Sequence, residues 1–281
     1  MNAASYLKLV RPHQWLKNLM LLFPPFLGGG ILHAGVPGKA IVSVAAFCLA
    51  SSSSYIVNDL LDSERDALHP TKKRRPLASG EISRRSAFVG ASCLLAGALL
   101  LALSVSPAFT TILVAYLVIS FSYSLLLKDL ALVDLFCISA GFLLRLQAGG
   151  LVFGIIISEW LFLSVFLLSL FLSTGKRLWE KNALGESAGS HRKSLTTYPD
   201  GFLDGTLYMT GASALLTYTM YSLPRFPLVY TVPLCTFGLL RYIFRVKSGL
   251  SGDPTDSLLR DLPLAITGLI WVFLVGWSIY R

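Results

Sequence analysis

Long apolar runs separated by short polar segments make up most of the sequence. A helix needs roughly 18 to 22 apolar residues to cross a bilayer, and runs of this length recur from end to end. We place about nine of them, at residues 17–34, 38–60, 86–104, 107–127, 130–151, 157–174, 206–223, 226–245 and 262–280. The pattern predicts an all-α polytopic membrane protein whose residues 1–281 form a single transmembrane bundle.

Composition supports this prediction. The chain is 54% hydrophobic and 14% charged, with a mean hydropathy of +0.66, which is more apolar than a soluble domain can bury. A net charge of +9 is also typical of nucleic-acid-binding proteins. Here, however, the basic residues are spread over separate loops between apolar runs, which argues against a nucleic-acid partner.

The charges also predict an orientation, because basic residues collect in the cytoplasmic loops of membrane proteins. One side keeps only Lys39, Arg225 and Arg281. The other side holds the remaining basic residues and every acidic residue except Glu159. We therefore expect a plasma-membrane protein with its N-terminus and its functional site in the cytoplasm and its C-terminus outside.

The strongest local motif is a run of acids at the end of the second apolar run. Asn58, Asp62 and Asp66 follow one another at intervals of four, and Asp59 precedes Asp62 by three residues. On a helix these side chains share one broad face. Carboxylates at such a depth are costly unless they serve a site. We predict Asn58, Asp62 and Asp66 as Mg²⁺ ligands and Asp59, Asp62 and Asp66 as catalytic groups, with a solvated helix end paired to Arg65 as the alternative.

A basic loop follows directly. It runs from His69 to Gly80 and includes Lys72 and Arg75, two cations suited to phosphate oxygens that a metal leaves uncovered. Attraction to anionic lipid is the competing explanation for such a loop.

Together these motifs resemble the UbiA superfamily of intramembrane prenyltransferases. The resemblance rests on the spacing of Asn58, Asp62 and Asp66, followed by the run Arg75-Pro76-Leu77-Ala78-Ser79-Gly80. It implies a cytoplasm-facing polar site on a bundle of about nine helices and dependence on Mg²⁺.

Three further segments resemble one branch of that superfamily, the decaprenyl-phosphate phosphoribosyltransferases. They are Arg11–Asn18, which includes Gln14 and Lys17, then Gly141–Arg145 and Gly175–Arg177. The branch implies transfer of 5-phosphoribosyl from phosphoribosyl diphosphate to a polyprenyl phosphate, with release of diphosphate, on the route to decaprenylphosphoryl arabinose for the cell wall.

The second half departs from the wider superfamily. Users of prenyl diphosphates carry a second pair of acids near the end of the sixth span, where this chain has Lys176, Arg177 and then Glu180. Cations in place of carboxylates favour direct phosphate binding over a second metal. An ordinary prenyltransferase acting on an aromatic acceptor is therefore the second hypothesis, and a transporter or lipid-binding protein is the third.

Other candidates for substrate contact are more ambiguous. Tyr123 and Lys128 resemble a tyrosine and a basic residue that the superfamily carries after its fourth span, although Lys128 could equally snorkel to the interface. Lys193, beside His191 and Arg192, lies in a loop that could close over substrate. Arg145 stands inside an apolar run, about 16 Å along the helix from Asp134, and we predict that it has a structural or cavity-lining role.

The predicted prenyl groove lies between spans and includes Phe121, Leu125 and Phe142. The sequence leaves the oligomeric state open, including a homo-oligomer.

Overall fold

The structure is a computed structural model that describes residues 3–68, 72–185, 189, 192–225 and 227–281. These residues are helical, with no β-strand among them. We number the α-helices in chain order as α1 Ala3–Val10, α2 Phe23–Leu27, α3 Val36–Ala67, α4 Arg84–Val105, α5 Pro107–Leu125, α6 Val133–Phe153, α7 Glu159–Leu184, α8 Lys193–Thr197, α9 Phe202–Ser222, α10 Val232–Lys247, α11 Pro254–Arg260 and α12 Leu262–Tyr280.

Seven helical segments in the described part of the chain are long and apolar enough to span a membrane. They are α3, α4, α5, α6, α7, α12 and the segment Leu228–Lys247 that contains α10. The predicted run 206–223 corresponds to α9, which has 21 residues but is less apolar because it is rich in Thr, Ser and Gly. The prediction of an all-helical membrane bundle is confirmed.

The first predicted run, 17–34, is not one continuous helix. Pro12–Leu22 forms a 3₁₀-helix and α2 follows it. Proline explains the break, because it removes backbone donors and restricts the preceding residue. Arg11, just before Pro12, adopts φ 55°, a left-handed conformation that is uncommon for a residue other than glycine.

The 3₁₀-helix is fixed to the middle of α3 by hydroxyl groups. The Trp15 indole donates to Ser52 Oγ at 2.9 Å, and Ser52 donates to the carbonyl of Val10 at 2.8 Å. Ser51 to Ser54 are all buried, and small residues of this kind let helices approach closely in a membrane. This packing sets the N-terminal segment beside the helix that carries the acidic motif.

The core has two halves, one on each side of α6. One surrounds Phe47 and Phe109, between α3, α4 and α5. The other surrounds Phe171 and Leu207, between α7, α9 and α10. Because α6 contacts both α5 and α7, it joins the halves, and the polar ends of α3 and α7 lie at the same end of the bundle.

Gly149 in α6 shows how tightly the 3₁₀-helix packs. A Cβ atom at this position would lie 2.1 Å from the backbone oxygen of Leu21, so the two backbones would have to separate. We expect Gly149→Ala to lower the free energy of unfolding by about 2 to 3 kcal/mol, measured by thermal unfolding in detergent. Gly90→Ala in α4 is the control, since a Cβ there meets nothing within 4 Å. Equal melting temperatures for the two variants would contradict this packing.

Candidate active site

Two acids on successive turns of α3 open onto a small polar pocket. The pocket has a volume of about 20 Å³ and is lined by Asp62, Arg65, Asp66, Lys72, Lys128, Asp129 and Arg192. That volume suits one water-sized group. The sequence predicted Asp62, Asp66, Lys72 and Lys128 as site residues, and the fold brings these four together.

Each acid of the motif is neutralised by a cation from a distant segment. Arg75 donates to Asp66 Oδ2 at 2.5 Å and to Asp59 Oδ1 at 3.0 Å. Arg11 donates to the same Asp59 oxygen at 2.5 Å, and Lys128 donates to Asp62 Oδ1 at 2.6 Å. These pairs offset the cost of carboxylates at this depth. They also place three cationic groups close to one site.

The predicted metal ligands are only partly collected at the pocket. Asp62 and Asp66 line it, whereas Asn58 is half-buried one turn earlier and is not among the lining residues. Within the residues that the structure describes, no three His, Cys, Asp or Glu side chains are grouped closely enough to enclose a metal. Any ion held here would therefore take part of its ligand shell from water or substrate oxygens.

Lys72 lies at the rim of this pocket, on a short 3₁₀-turn at Lys72–Arg74. Burial, followed by the neighbouring Arg75 charge, lowers the pKa of its ammonium. A group in such surroundings gains from an anionic partner. The position agrees with the predicted contact to phosphate.

Arg177 lies in a second network of hydrogen bonds and ion pairs, at the end of α7 that we predict to be cytoplasmic. Its guanidinium donates to Asp134 Oδ2 at 2.7 Å, to Glu180 Oε2 at 2.6 Å and to the Tyr123 hydroxyl at 2.9 Å. Arg192 donates to the same hydroxyl at 3.0 Å. Arg177 is only 2% exposed, and all three of its donor groups have partners inside the protein. The geometry therefore favours a supporting role, and its predicted direct contact with phosphate stays a prediction.

Lys176, one residue earlier, points away from this network and toward Asp253. Its ammonium lies 2.7 Å from Asp253 Oδ2, and Asp253 also caps α11 by accepting from the backbone N–H groups of Thr255 and Asp256. Burial opposes ionisation of Asp253, but the charges of Lys176 and Lys17 outweigh it and hold the pKa of this carboxyl well below its usual range. Two cations therefore share one carboxylate here.

Lys17 is one of the residues that line an apolar cavity of about 450 Å³. The walls of this cavity come from the 3₁₀-helix, α2, α6, α7, α9, α10, α11 and α12, with residues such as Leu16, Phe23, Phe142, Val165, Tyr218 and Trp271. Lys17 is the single charged side chain among the described residues that line it. Of the residues predicted to line a prenyl groove, Phe142 lines this cavity, and prenyl binding there stays a prediction. The other two predicted residues do not line it, because Phe121 packs in the α3–α5 core and Leu125 is exposed on the outside.

The acidic pocket and the apolar cavity lie on either side of the α7 end. The Glu180 carboxylate is close enough to interact with Lys72 and Arg192 of the pocket and with Lys176 beside Lys17. The two sites are therefore neighbours at one end of the bundle.

The remaining candidates lie away from these contacts. Gln14 is half-buried in the 3₁₀-helix, and Lys193 is exposed at the start of α8. Asp200 forms an exposed pair with Lys181 at 3.1 Å, and Asp204 pairs with Lys247. His191 lies outside the described residues.

Four residues that matter to this geometry were not predicted as site residues: Arg11, Asp134, Arg192 and Asp253. Arg11 belongs to the quoted N-terminal motif, which is a usable signal. The others could be found only by knowing their partners, since each contacts a residue that is distant in the sequence and belongs to another element.

The described part of the chain is a helical membrane bundle with an apolar cavity, lined by one lysine, and a small pocket of acids and cations. Residues 21–259 match the sequence profile of the UbiA prenyltransferase family. The chain belongs to this family, and it is a transferase and an integral membrane protein.

Two relatives that are similar to this chain over nearly its full length carry the same name. Over 286 residues the chain is 34% identical to decaprenyl-phosphate phosphoribosyltransferase of Mycobacterium tuberculosis (strain CDC 1551 / Oshkosh), covering 98% of this chain and 94% of that protein. It is 32% identical over 296 residues to the protein of the same name from Mycolicibacterium smegmatis, covering 99% and 93%.

The fold also matches a solved structure, that of a UbiA homologue from Archaeoglobus fulgidus bound to GPP and Mg²⁺. The TM-score is 0.77 at 22% identity, over 98% of this chain and 99% of that one. At this identity the likeness supports the fold alone.

Proposed function

We propose that the protein transfers 5-phosphoribosyl from phosphoribosyl diphosphate to a polyprenyl phosphate and releases diphosphate. One observation carries the proposal: the structure has an apolar cavity, whose single charged lining residue among those described is Lys17, and a separate small pocket of acids and cations. This arrangement suits one amphiphilic and one soluble phosphate substrate. Near-full-length similarity to two decaprenyl-phosphate phosphoribosyltransferases supports it.

The polyprenyl phosphate would bind with its tail in the apolar cavity and its phosphate at Lys17. Burial of a prenyl chain against aliphatic and aromatic walls contributes about 25 cal/mol per Å² of apolar surface removed from water. Lys176 lies close enough to share the phosphate once Asp253 releases it. The head of the lipid would then face the α7 end and the acidic pocket beyond it.

Phosphoribosyl diphosphate would bind across the opening of the acidic pocket, because the pocket itself, at about 20 Å³, has room for one water-sized group and not for a whole substrate. Lys72, Arg75 and Lys128 supply cations for its phosphate oxygens. Asp59 is held by Arg11 and Arg75, so we propose that this buried carboxylate positions Arg75. Tyr123, tied to Arg177 and Arg192, and Glu180 would support the same wall from the α5 and α7 side.

The donor set at this pocket fits Mg²⁺. Asp62 and Asp66 offer carboxylate oxygens on successive turns beside a space of one water's size, and Mg²⁺ in enzymes is commonly held by one or two carboxylates plus phosphate oxygens. We propose Asp62 and Asp66 as its ligands, with Asn58 as a further oxygen donor. The ion, when bound, supplies charge neutralisation for the diphosphate leaving group.

The transfer itself needs alignment more than a base. A polyprenyl phosphate oxygen is already anionic, so it can attack the anomeric carbon of the ribose directly. The new bond joins this oxygen to C1, while the bond from C1 to the diphosphate oxygen breaks and diphosphate leaves with the electron pair. The cations around the pocket stabilise that leaving charge, and the protein holds the two substrates in line.

The family's usual reaction is the second candidate, and one feature separates the two. Prenyl transfer from a diphosphate implies a second acidic motif, at the end of α7, where this chain has Lys176, Arg177 and Glu180. Arg177 neutralises both Asp134 and Glu180, so the acids present there are already paired. We therefore favour phosphoribosyl transfer, at the cytoplasmic face of the plasma membrane, in the formation of decaprenylphosphoryl arabinose.

Lys17→Gln tests the acceptor site. Loss of an ionic hydrogen bond to phosphate is expected to raise the KM for polyprenyl phosphate on the order of tenfold to a hundredfold, with the KM for phosphoribosyl diphosphate nearly unchanged. Lys8→Gln, an exposed lysine on α1, is the matched control. Equal kinetics for both variants would move the lipid phosphate away from Lys17.

The reaction has a direct assay. Purified protein, Mg²⁺, radiolabelled phosphoribosyl diphosphate and polyprenyl phosphate should give a labelled product that extracts into organic solvent. Absence of labelled lipid with several chain lengths of acceptor would contradict the proposal.

A further inference from the structure

Arg145 is a buried cation in the apolar helix α6. It is 4% exposed in α6. Its Nε donates to Asn18 Oδ1 at 2.8 Å, Nη1 donates to the carbonyl of Gly141 at 2.8 Å, and Nη2 donates to the Tyr116 hydroxyl at 3.0 Å. The guanidinium also faces the rings of Tyr116 and Phe142, at 4.5 and 5.8 Å.

Every one of these partners is neutral. Within the described part of the chain Arg145 forms no ion pair, in contrast to Arg177, which contacts two carboxylates. A guanidinium keeps its charge in proteins, and an uncompensated charge inside a membrane domain is costly. Stability alone would favour a carboxylate beside Arg145 or an apolar residue in its place, so its bare charge calls for a functional explanation.

The charge lies beside the mouth of the apolar cavity. Asn18, which accepts from Arg145, directly follows Lys17, and Phe142, whose ring Arg145 faces, lines the cavity together with Lys17. The hydrogen bond to Asn18 thus sets the Arg145 guanidinium against the residue next to Lys17. Among the described residues Lys17 has no hydrogen bond or ion pair of its own, and Asp253 is held by Lys176. This end of the cavity therefore carries an excess of positive charge.

The same arginine also fixes the segment that carries Lys17. The Asn18 amide donates to Cys48 Sγ and to Ser51 Oγ, both at 3.2 Å. A buried chain of hydrogen bonds thus runs from α6 through the 3₁₀-helix to α3. It holds Lys17 at the cavity while the guanidinium remains without a counterion.

We infer that Arg145 is a positioning residue that makes the cavity select lipids with an anionic head, through its uncompensated charge and its hydrogen bond to Asn18. The inference rests on the proposed function and names the feature that the cavity recognises: a prenyl lipid phosphate in preference to the prenyl alcohol of the same length. Lys17 would contact the phosphate, and Arg145 would act on it at longer range through a medium of low dielectric.

Asn18→Asp tests the electrostatic part of this role. The substituted side chain has the same shape and keeps an oxygen for Arg145 Nε, so the hydrogen bond remains. It adds a carboxylate that cancels the buried charge. The hydrogen bond from Arg145 would be preserved by this change, whereas the donations of the Asn18 amide to Cys48 and Ser51 would be lost. Ser51→Ala, which removes one of these two bonds and leaves the charge of Arg145 in place, therefore separates the brace from the electrostatic selector and should keep the preference for the phosphate.

The experiment is equilibrium binding of a radiolabelled polyprenyl phosphate and of the matching polyprenol to the full chain in nanodiscs, so it does not depend on turnover. Wild-type protein should prefer the phosphate. Asn18→Asp should weaken phosphate binding on the order of tenfold, the effect of one charge at about 10 Å in an effective dielectric of about 20, and leave polyprenol binding unchanged. Arg145→Gln, which removes the charge directly, should show the same selective loss.

Tyr116→Phe is the matched control, because it removes one hydrogen bond to Arg145 and leaves the charge in place; its preference for the phosphate should equal that of the wild type. An unchanged preference in Asn18→Asp, with a normal melting temperature, would overturn the inference while leaving the proposed function intact. Wild-type protein that shows no preference for the phosphate would overturn the proposed acceptor and the inference together.

Discussion

Asp66→Asn is expected to abolish transfer while leaving the protein folded. Asp66 is 4% exposed, lines the acidic pocket with Asp62 and receives a 2.5 Å hydrogen bond from Arg75. Asparagine keeps the shape but removes the charge that would hold Mg²⁺ at the diphosphate. We expect the rate of transfer to fall by about 10²- to 10³-fold, measured as labelled lipid formed per minute at saturating substrates.

The fold should tolerate this change because Arg75 keeps its hydrogen bond to Asp59 Oδ1, at 3.0 Å. Glu64→Gln is the control, since Glu64 lies on the same helix with its side chain 93% exposed, and its activity should stay within about twofold of wild type, as for most surface changes. Normal turnover of Asp66→Asn at low Mg²⁺ would remove this residue from the proposed metal site.

Arg177→Met is expected to cause the largest loss of stability. The change would leave Asp134, which is 0% exposed, with the Tyr198 hydroxyl at 2.7 Å and Arg192 at 3.5 Å. Removing one partner of a buried ion pair typically costs about 3 to 5 kcal/mol, and the longer contact with Arg192 replaces only part of what Arg177 provides. We expect the free energy of unfolding to drop by a corresponding amount, as measured by thermal or denaturant unfolding in detergent.

The neighbouring Lys176→Met is the matched control. Its pair with Asp253 is partly exposed, with the lysine side chain at 33% and the aspartate at 22%, so the loss should stay near 1 kcal/mol or less. The double change Arg177→Met with Asp134→Leu should recover part of the stability, because the buried charge of Asp134 is removed, whereas Glu180 still lacks the pair that Arg177 provided. If the melting temperature of Arg177→Met equalled that of the wild type, the network around Arg177 would not stabilise the packing of α5 against α7.

The acidic motif shows what local sequence can predict. Intervals of four residues put Asn58, Asp62 and Asp66 on one helical face, and α3 does run unbroken through Ala67. Two of the three reach the pocket. The partners of the motif were beyond prediction, because Arg11 and Lys128 come from segments 48 and 66 residues away from the acids they neutralise.

The α7 motif shows the limit more clearly. The sequence predicted that Lys176 and Arg177 would both bind phosphate, since both are cations at the position of a missing acidic pair. Adjacent residues on a helix point in different directions. In the structure Lys176 forms an ion pair with Asp253, and Arg177 belongs to the buried network around Asp134. Asp134, which the sequence placed far from Arg145 on the same helix, turned out to be the partner of Arg177.

The first span was the weakest part of the structural prediction. Hydropathy alone suggested a helix over residues 17–34, but Pro12, Pro24 and Pro25 divide this region into a 3₁₀-helix and the short α2. Those prolines were visible in the sequence. Their consequence matters to the site, because the break allows Lys17 to line the cavity and Arg11 to reach Asp59.

The choice of donor tests the central proposal most directly. Purified protein in nanodiscs with Mg²⁺ would be offered phosphoribosyl diphosphate and a prenyl diphosphate together, with polyprenyl phosphate and an aromatic acid as acceptors, and the lipid products would be identified by mass spectrometry. Phosphoribosyl transfer predicts polyprenyl phosphoribosyl phosphate and consumption of phosphoribosyl diphosphate, both lost in Asp66→Asn. A prenylated aromatic acid, with no ribosylated lipid, would contradict the account.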